Sequence, residues 1–128
     1  MNTQTNEADN VIDNVNAPKH YTSHASGIEC IQIAELLPFN LGNAIKYLWR
    51  SDLKWDKQED TKKAIFYLRG QAKLNKEPTY TSFEYNKLDI YLRQLRETDN
   101  TLWHYADVVV HGDAGNWLSL ADRLQREL

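Results

Sequence analysis

Much of what usually announces a function is missing from this sequence. It holds a single cysteine, Cys30, among 128 residues. One cysteine excludes an intramolecular disulfide and a thiolate zinc site, and it fits a reducing compartment. The five glycines (Gly27, Gly42, Gly70, Gly112 and Gly115) are scattered. They build neither a dinucleotide fingerprint nor a G-x-x-x-x-G-K-[ST] loop for a triphosphate. There is no H-E-x-x-H, and no pair of E-x-x-E/D helical motifs to gather carboxylates for magnesium, which argues against an all-α pyrophosphatase. No apolar run approaches the roughly 18 residues needed to span a membrane. The opening MNTQTNEADN has no apolar h-region, so no signal peptide is expected. These absences predict a soluble cytoplasmic protein with no membrane partner.

An overall basic excess is missing too. Lys and Arg number 15 against 18 Asp and Glu, for a net charge of −3. The deficit is unevenly spread. Residues 1–16 carry Glu7, Asp9 and Asp13 with no base, residues 40–76 carry nine bases against four acids, and residues 77–128 carry five bases against nine acids. A local basic block inside a nearly neutral chain suits a small anionic ligand better than a long nucleic acid.

What is present reads as helix. Residues 1–16 have the composition of a mobile acidic tail, and 17–27 that of a loop. Ser26 with Glu29 has the capping-box pattern and predicts a helix over about 27–37, with Ile28, Ile31, Ala34 and Leu37 inward and Pro38 ending it. Asn40 is expected to cap a second helix over about 41–51, whose Leu41, Ala44, Ile45, Leu48 and Trp49 form an apolar stripe. Asp56 with Glu59 opens a third helix to about Lys73, burying Thr61, Ala64, Ile65, Leu68 and Ala72. Thr81 with Glu84 opens a fourth to about Glu97, with Tyr85, Leu88, Leu92 and Leu95 facing the core. Residues 102–110 mix a Val-rich strand signal with helical spacing, and helix is preferred. After a turn at 111–115, a last helix from about Asn116 carries Trp117, Leu120, Ala121 and Leu124. The expected fold is all-α: five or six short helices in one compact domain behind the tail. Its parts are a 1–16 tail, a 17–76 helical core and a 77–128 C-terminal helical extension.

The chemistry-bearing residues lie between Pro18 and Leu74. On the second helix Asn43, Lys46, Tyr47 and Arg50 fall at i, i+3, i+4 and i+7, beside the apolar stripe, and Lys54 follows just past its end. Cations with an aromatic and an amide suit a nucleotide, although a solvated face with an interfacial tyrosine has the same pattern. Asp60, Lys63 and Tyr67 repeat the design on the third helix, with Asp60 the candidate functional acid. Glu59 and Lys63 also form an ordinary i,i+4 pair. The loop gathers His20, Tyr21, Ser23, His24 and Ser26. A phosphate contact or proton transfer is a more natural use of its histidines than a metal, so no metal ligands are assigned. Trp55 is a candidate partner or base contact.

The ordered blocks P-K-H-Y (18–21), S-G-I-E-C-I (26–31), F-N-L-G-N-A-I-K-Y-L-W-R (39–50), Lys54 and E-D-T-K-K-A-I-F-Y-L (59–68) give a resemblance. This stretch resembles the SaV-like family of small domains common in tailed phages, described either as of unknown function or as nucleotide kinases. At least one member is a deoxynucleoside monophosphate kinase without a P-loop. The family positions matched are His20, Tyr21, Gly27, Glu29, Asn43, Lys46, Tyr47, Arg50, Lys54, Asp60, Lys63 and Tyr67. The sequence departs from the family at 51–53, where a small residue and Gly normally precede the lysine, and at Thr61, which replaces a leucine. Residues 77–128 lie outside the resemblance. It implies a phage origin, a nucleotide-related role and the cytoplasm of an infected bacterial host.

The function expected is nucleotide binding by a (deoxy)nucleoside monophosphate kinase-like enzyme. Lys46, Arg50, Lys54 and Lys63 would neutralise phosphates, with His24 and Tyr21 nearby. Asp60 or His20 would orient the attacking phosphate, Tyr47 or Tyr67 would hold the base, and Asn43 is a further substrate-binding position. No resident cofactor is expected, and ATP would be a co-substrate. The alternative is a non-catalytic phage protein that sequesters a nucleotide or a nucleotide-derived defence signal, or that inhibits a host protein. Apolar and aromatic stripes on both sides of a helix predict a homo-oligomer.

Overall fold

The computed structural model describes residues 24–52 and 56–128. Among these it has six helices and no strand, as the periodicity requires: α1 (Cys30–Ala34), α2 (Phe39–Asp52), α3 (Lys57–Leu74), α4 (Ser82–Thr98), α5 (Asn100–His111) and α6 (Ala114–Arg126). None is long and apolar enough to cross a membrane. The acidic tail of the sequence reading lies outside the described residues.

The α2 stripe behaves as its spacing dictates. Leu41, Ala44, Ile45, Leu48 and Trp49 are all fully buried. They meet the α3 stripe of Thr61, Ala64, Ile65, Leu68 and Ala72, which is buried throughout. Asp56 caps α3 by accepting from the Glu59 N–H at 3.1 Å, and Asn75 closes it in the left-handed conformation at φ 52°. Helix α6 covers α3, α5 contacts α2, α4 and α6, and α1 lies against α2. One buried cluster therefore runs from Ile28 to Leu124, and 77–128 supply Leu88, Leu95, Leu102, Val109, Trp117 and Leu120 to it. Residues 102–110 are helical, with Asp99 as the cap accepting from Leu102 N–H at 3.0 Å.

Four local expectations are corrected. Helix α1 begins at Cys30, because Gly27 sits at φ +79° and breaks the chain direction, while the Ser26 hydroxyl accepts from Ile28 N–H instead of capping. In its place Gln32 accepts from Glu29 N–H at 2.7 Å. In so short a helix the spacing-of-three stripe has the wrong phase. Cys30 and Ile33 are buried and Ile31 is 57% exposed. Pro38 does not end α1 but opens α2, its carbonyl accepting from Gly42 N–H at 2.8 Å, so Asn40 lies inside the first turn and rests against Gly70. Tyr85 is half-exposed against His111 instead of buried.

The α5–α6 corner is tightly built. The Val108 carbonyl accepts from Gly112 N–H at 2.9 Å and from the Trp117 indole N–H at 3.1 Å. Asp113 and Asn116 then cap α6 reciprocally. A Cβ on Gly112 would collide with the Val108 carbonyl and crowd Asn116, whereas one on Gly115 meets only Asp113 Oδ1 at 3.4 Å. Gly112→Ala is therefore expected to lower stability by about 1–3 kcal/mol. Gly115→Ala, inside a helix, should be neutral or stabilising by up to about 1 kcal/mol. Urea unfolding of the two variants checks the contrast, and equal midpoints would contradict it.

Candidate functional site

Burying the apolar stripes of α2 and α3 against each other turns their neighbouring polar positions to a common side. Tyr47 and Tyr67 stack there with ring planes 4° apart and centroids 6.0 Å apart. Three cations gather round the Tyr47 ring: Lys46 Nζ at 4.5 Å from its centroid, Lys63 Nζ at 5.3 Å and Arg50 Cζ at 5.8 Å. Electron density on the ring face offsets part of their repulsion, and solvent at the exposed Lys63 screens more.

Among the described residues, one acid forms an ion pair with this group. Asp60, only 2% exposed in the first turn of α3, places Oδ2 3.7 Å from Arg50 Nε. At that distance the contact is electrostatic, and among the described residues neither atom has a hydrogen-bond partner. Neither Lys46 nor Lys63 is paired with a carboxylate among the described residues, and the Glu59–Lys63 pair expected from spacing is absent there. The local charge is thus +2 from three cations and one acid.

Beside the cluster, α1 and the start of α2 enclose a groove of about 280 Å³. Cys30, Ile31, Ala34, Leu37, Pro38, Phe39 and Gly42 form its apolar walls, and Glu35, Asn43 and Lys46 supply its polar groups. Asn43 donates to the Phe39 carbonyl at 2.9 Å, which fixes its amide at the rim. Gly42 allows the approach of the two elements, since a Cβ there would lie 3.1 Å from the Ala34 carbonyl oxygen. Burial pushes the Cys30 thiol up to about 12, against the opposing pull of the Lys46 charge. Nothing in the sequence pointed to this groove. Spacing alone places Ile31 inward, and the docking of α1 exposes it.

The sequence-derived candidates therefore divide. Lys46, Tyr47, Arg50, Asp60, Lys63 and Tyr67 come together, with Asn43 one turn earlier on the groove rim. His24 has a structural setting instead. Its Nε2 meets Asp99 Oδ2 at 3.0 Å, Ser26 N–H donates to Nδ1 at 3.0 Å, and its ring packs 5.3 Å from Trp49. With Nδ1 accepting, Nε2 carries the proton offered to Asp99. His24 thereby ties the chain before α1 to the α4–α5 corner, and both of its nitrogens are occupied within the fold. His20, Tyr21 and Lys54, with Ser23 and Trp55, lie outside the described residues. Among the described residues no group of three or more His, Cys, Asp or Glu side chains is assembled for a metal ion.

Residues 15–69 match the model of a family described as a protein of unknown function, DUF3310. The matched span contains every member of the cationic cluster and the whole groove wall. No curated protein and no solved structure matches the chain.

A thiol held protonated is a poor nucleophile, because the thiolate is the reactive form. Cys30 should stay unmodified by a disulfide-exchange reagent at about pH 8 in the folded protein and react promptly in denaturant. Fast labelling of the native protein would show that burial does not hold the thiol protonated.

Proposed function

We propose that this protein binds a nucleoside monophosphate through the α2–α3 face, as a (deoxy)nucleoside monophosphate kinase-like protein of phage nucleotide metabolism. The observation that carries the reading is the convergence of Lys46, Arg50 and Lys63 on one ring, with two of the three free of any carboxylate partner among the described residues. A phosphate monoester carries about −1.5 to −2 charges near neutrality and complements the local +2. Arg50 supplies a forked donor, and the lysines supply adjustable point charges. In the kinase form, an oxygen of the bound monophosphate attacks the γ-phosphorus of ATP, the bond to the β-phosphate oxygen breaks, and ADP leaves. Such transfer depends on positioning and charge stabilisation, which a cationic cluster can provide.

A specific feature favours the second reading, binding without turnover. Asp60, the candidate acid in the described region, is buried beneath Arg50 and is placed to hold the guanidinium rather than to meet a substrate. A protein that sequesters a nucleotide or a nucleotide-derived signal in the infected host needs the cations but no exposed acid. Assembly into a homo-oligomer, or contact with a host protein, belongs to the same proposal. The exposed Phe66, edge-on to Tyr67 beside the cluster and outside the groove, is the surface on which it rests.

Calorimetry with each deoxynucleoside monophosphate tests binding, and a coupled assay with ATP tests turnover. Lys46→Ala and Lys63→Ala should each weaken binding by about tenfold, the loss of one charge-assisted contact. The effect should shrink as salt rises. Diphosphate formation selects the kinase form and binding alone selects the sequestering form. No binding of any of these nucleotides ends the proposal.

A further inference from the structure

The two tyrosines are the obvious platform for a nucleobase, but their rings are already engaged. Tyr47 stacks on Tyr67 and is surrounded by Lys46, Lys63 and Arg50. Tyr67 also takes Phe39 edge-on at 6.0 Å and Phe66 edge-on at 5.2 Å. Both rings are half-buried against the core. A base inserted between them would have to separate a stacked pair and push aside the cations meant for its phosphate.

We infer that the base lies instead in the α1–α2 groove, so that the ligand bridges two subsites through Lys46. Resting on the reading above, this assigns the groove walls Ile31, Ala34, Pro38 and Phe39 to a planar heterocycle and the cluster to its phosphate. Lys46 belongs to both: it lines the groove, its charge acts on Cys30 within the wall, and its ammonium stands over Tyr47. A ligand whose anionic end meets Lys46, Arg50 and Lys63 therefore has its uncharged part directed along an apolar slot that begins at the same lysine. The groove has the character of a small-molecule site, mostly apolar with a few placed polar groups. Its Glu35 carboxylate and Asn43 amide suit the hydrogen-bonding edge of a base, and an acyl chain would leave them unused. Phe39 and Ile31 are 75% and 57% exposed and so have apolar surface left to cover.

The test compares deoxyribose 5-phosphate, which carries only the head, with the deoxynucleoside monophosphates. In the wild type at least one monophosphate should bind about tenfold or more tightly than the sugar phosphate, the gain from covering apolar groove surface. Ile31→Asn and Ile31→Ala, at an exposed groove position with no contact to the tyrosine pair, should remove most of that advantage while leaving the affinity for deoxyribose 5-phosphate within about twofold. Phe66→Ala, also exposed but outside the groove, should leave the ratio unchanged. In methyl-resolved NMR, the Ile31 and Ala34 signals should move with the monophosphates and stay still with the sugar phosphate. If the sugar phosphate binds and no base adds affinity, or if the base advantage survives both groove variants, the groove assignment is overturned while the anion site stands. If neither ligand type binds, the underlying nucleotide reading falls, and the groove assignment with it.

Discussion

The face-to-face packing of α2 on α3 is the constraint on which the other features depend. Leu41, Ala44, Ile45, Leu48 and Trp49 on one helix and Ala64, Ile65 and Leu68 on the other are almost completely removed from water. Burial of the leucine and isoleucine side chains contributes roughly 1.5–3 kcal/mol each and that of the alanines less, so the rotational setting of the two helices is fixed by many independent contributions. Small residues at the contact, Ala44, Ala64 and Gly70, let the backbones approach, and Asn40 packs over Gly70. Once that setting is fixed, the positions beside each stripe have no freedom to face elsewhere. Lys46, Tyr47 and Arg50 must share a side with Lys63 and Tyr67. The cluster is a consequence of the core.

Gathering half-buried Lys46 and Arg50 with exposed Lys63 opposes folding, an opposition that water and salt at Lys63 and the electron-rich Tyr47 ring face reduce. Arg50 and Asp60 answer to different physics because the carboxylate is buried. Removing Asp60 from water has a cost that a 3.7 Å contact without a hydrogen bond offsets incompletely. A buried carboxylate held in this way is better explained by what it does to Arg50 than by stability. It limits the directions in which the guanidinium can point, and so reduces the ordering a bound anion would have to impose.

Legibility in the sequence followed the length of the elements and the range of their contacts. The α2 stripe spans more than two turns, so its periodicity identifies the buried face, and the caps at Asp56 and Thr81 are legible because their partners lie three residues away. Helix α1 has only five residues, too few for periodicity to fix a phase, and the left-handed Gly27 shifted its start. Pro38 illustrates the ambiguity of proline punctuation, since the same residue can close one helix or open the next. His24 was drawn into the site by its chemistry, whereas its fate is decided by Asp99, 75 residues away in sequence. The groove was invisible for the same reason. Its two walls come from elements that meet only after α1 docks on α2, and its defining features, exposed Ile31 and Phe39, look like core in a sequence.

These long-range contacts also bear on how the family-matched span relates to the remainder of the chain. The match covers 15–69, and every residue of the cationic cluster lies within it. Yet α2 packs against α5 and α3 against α6, and Leu102, Ala106, Trp117 and Leu120 of those helices belong to the same buried cluster. Without that cover, Leu48 and Leu68 would meet water, and the setting that aligns Lys46 with Lys63 would lose part of its support. His24 adds a second tie, joining the segment before α1 to the cap of α5 through Asp99. The segment 77–128 thus supports the cluster indirectly, by covering the helices that carry it. A side-chain cluster confined to under half the chain still takes its geometry from packing that involves the whole.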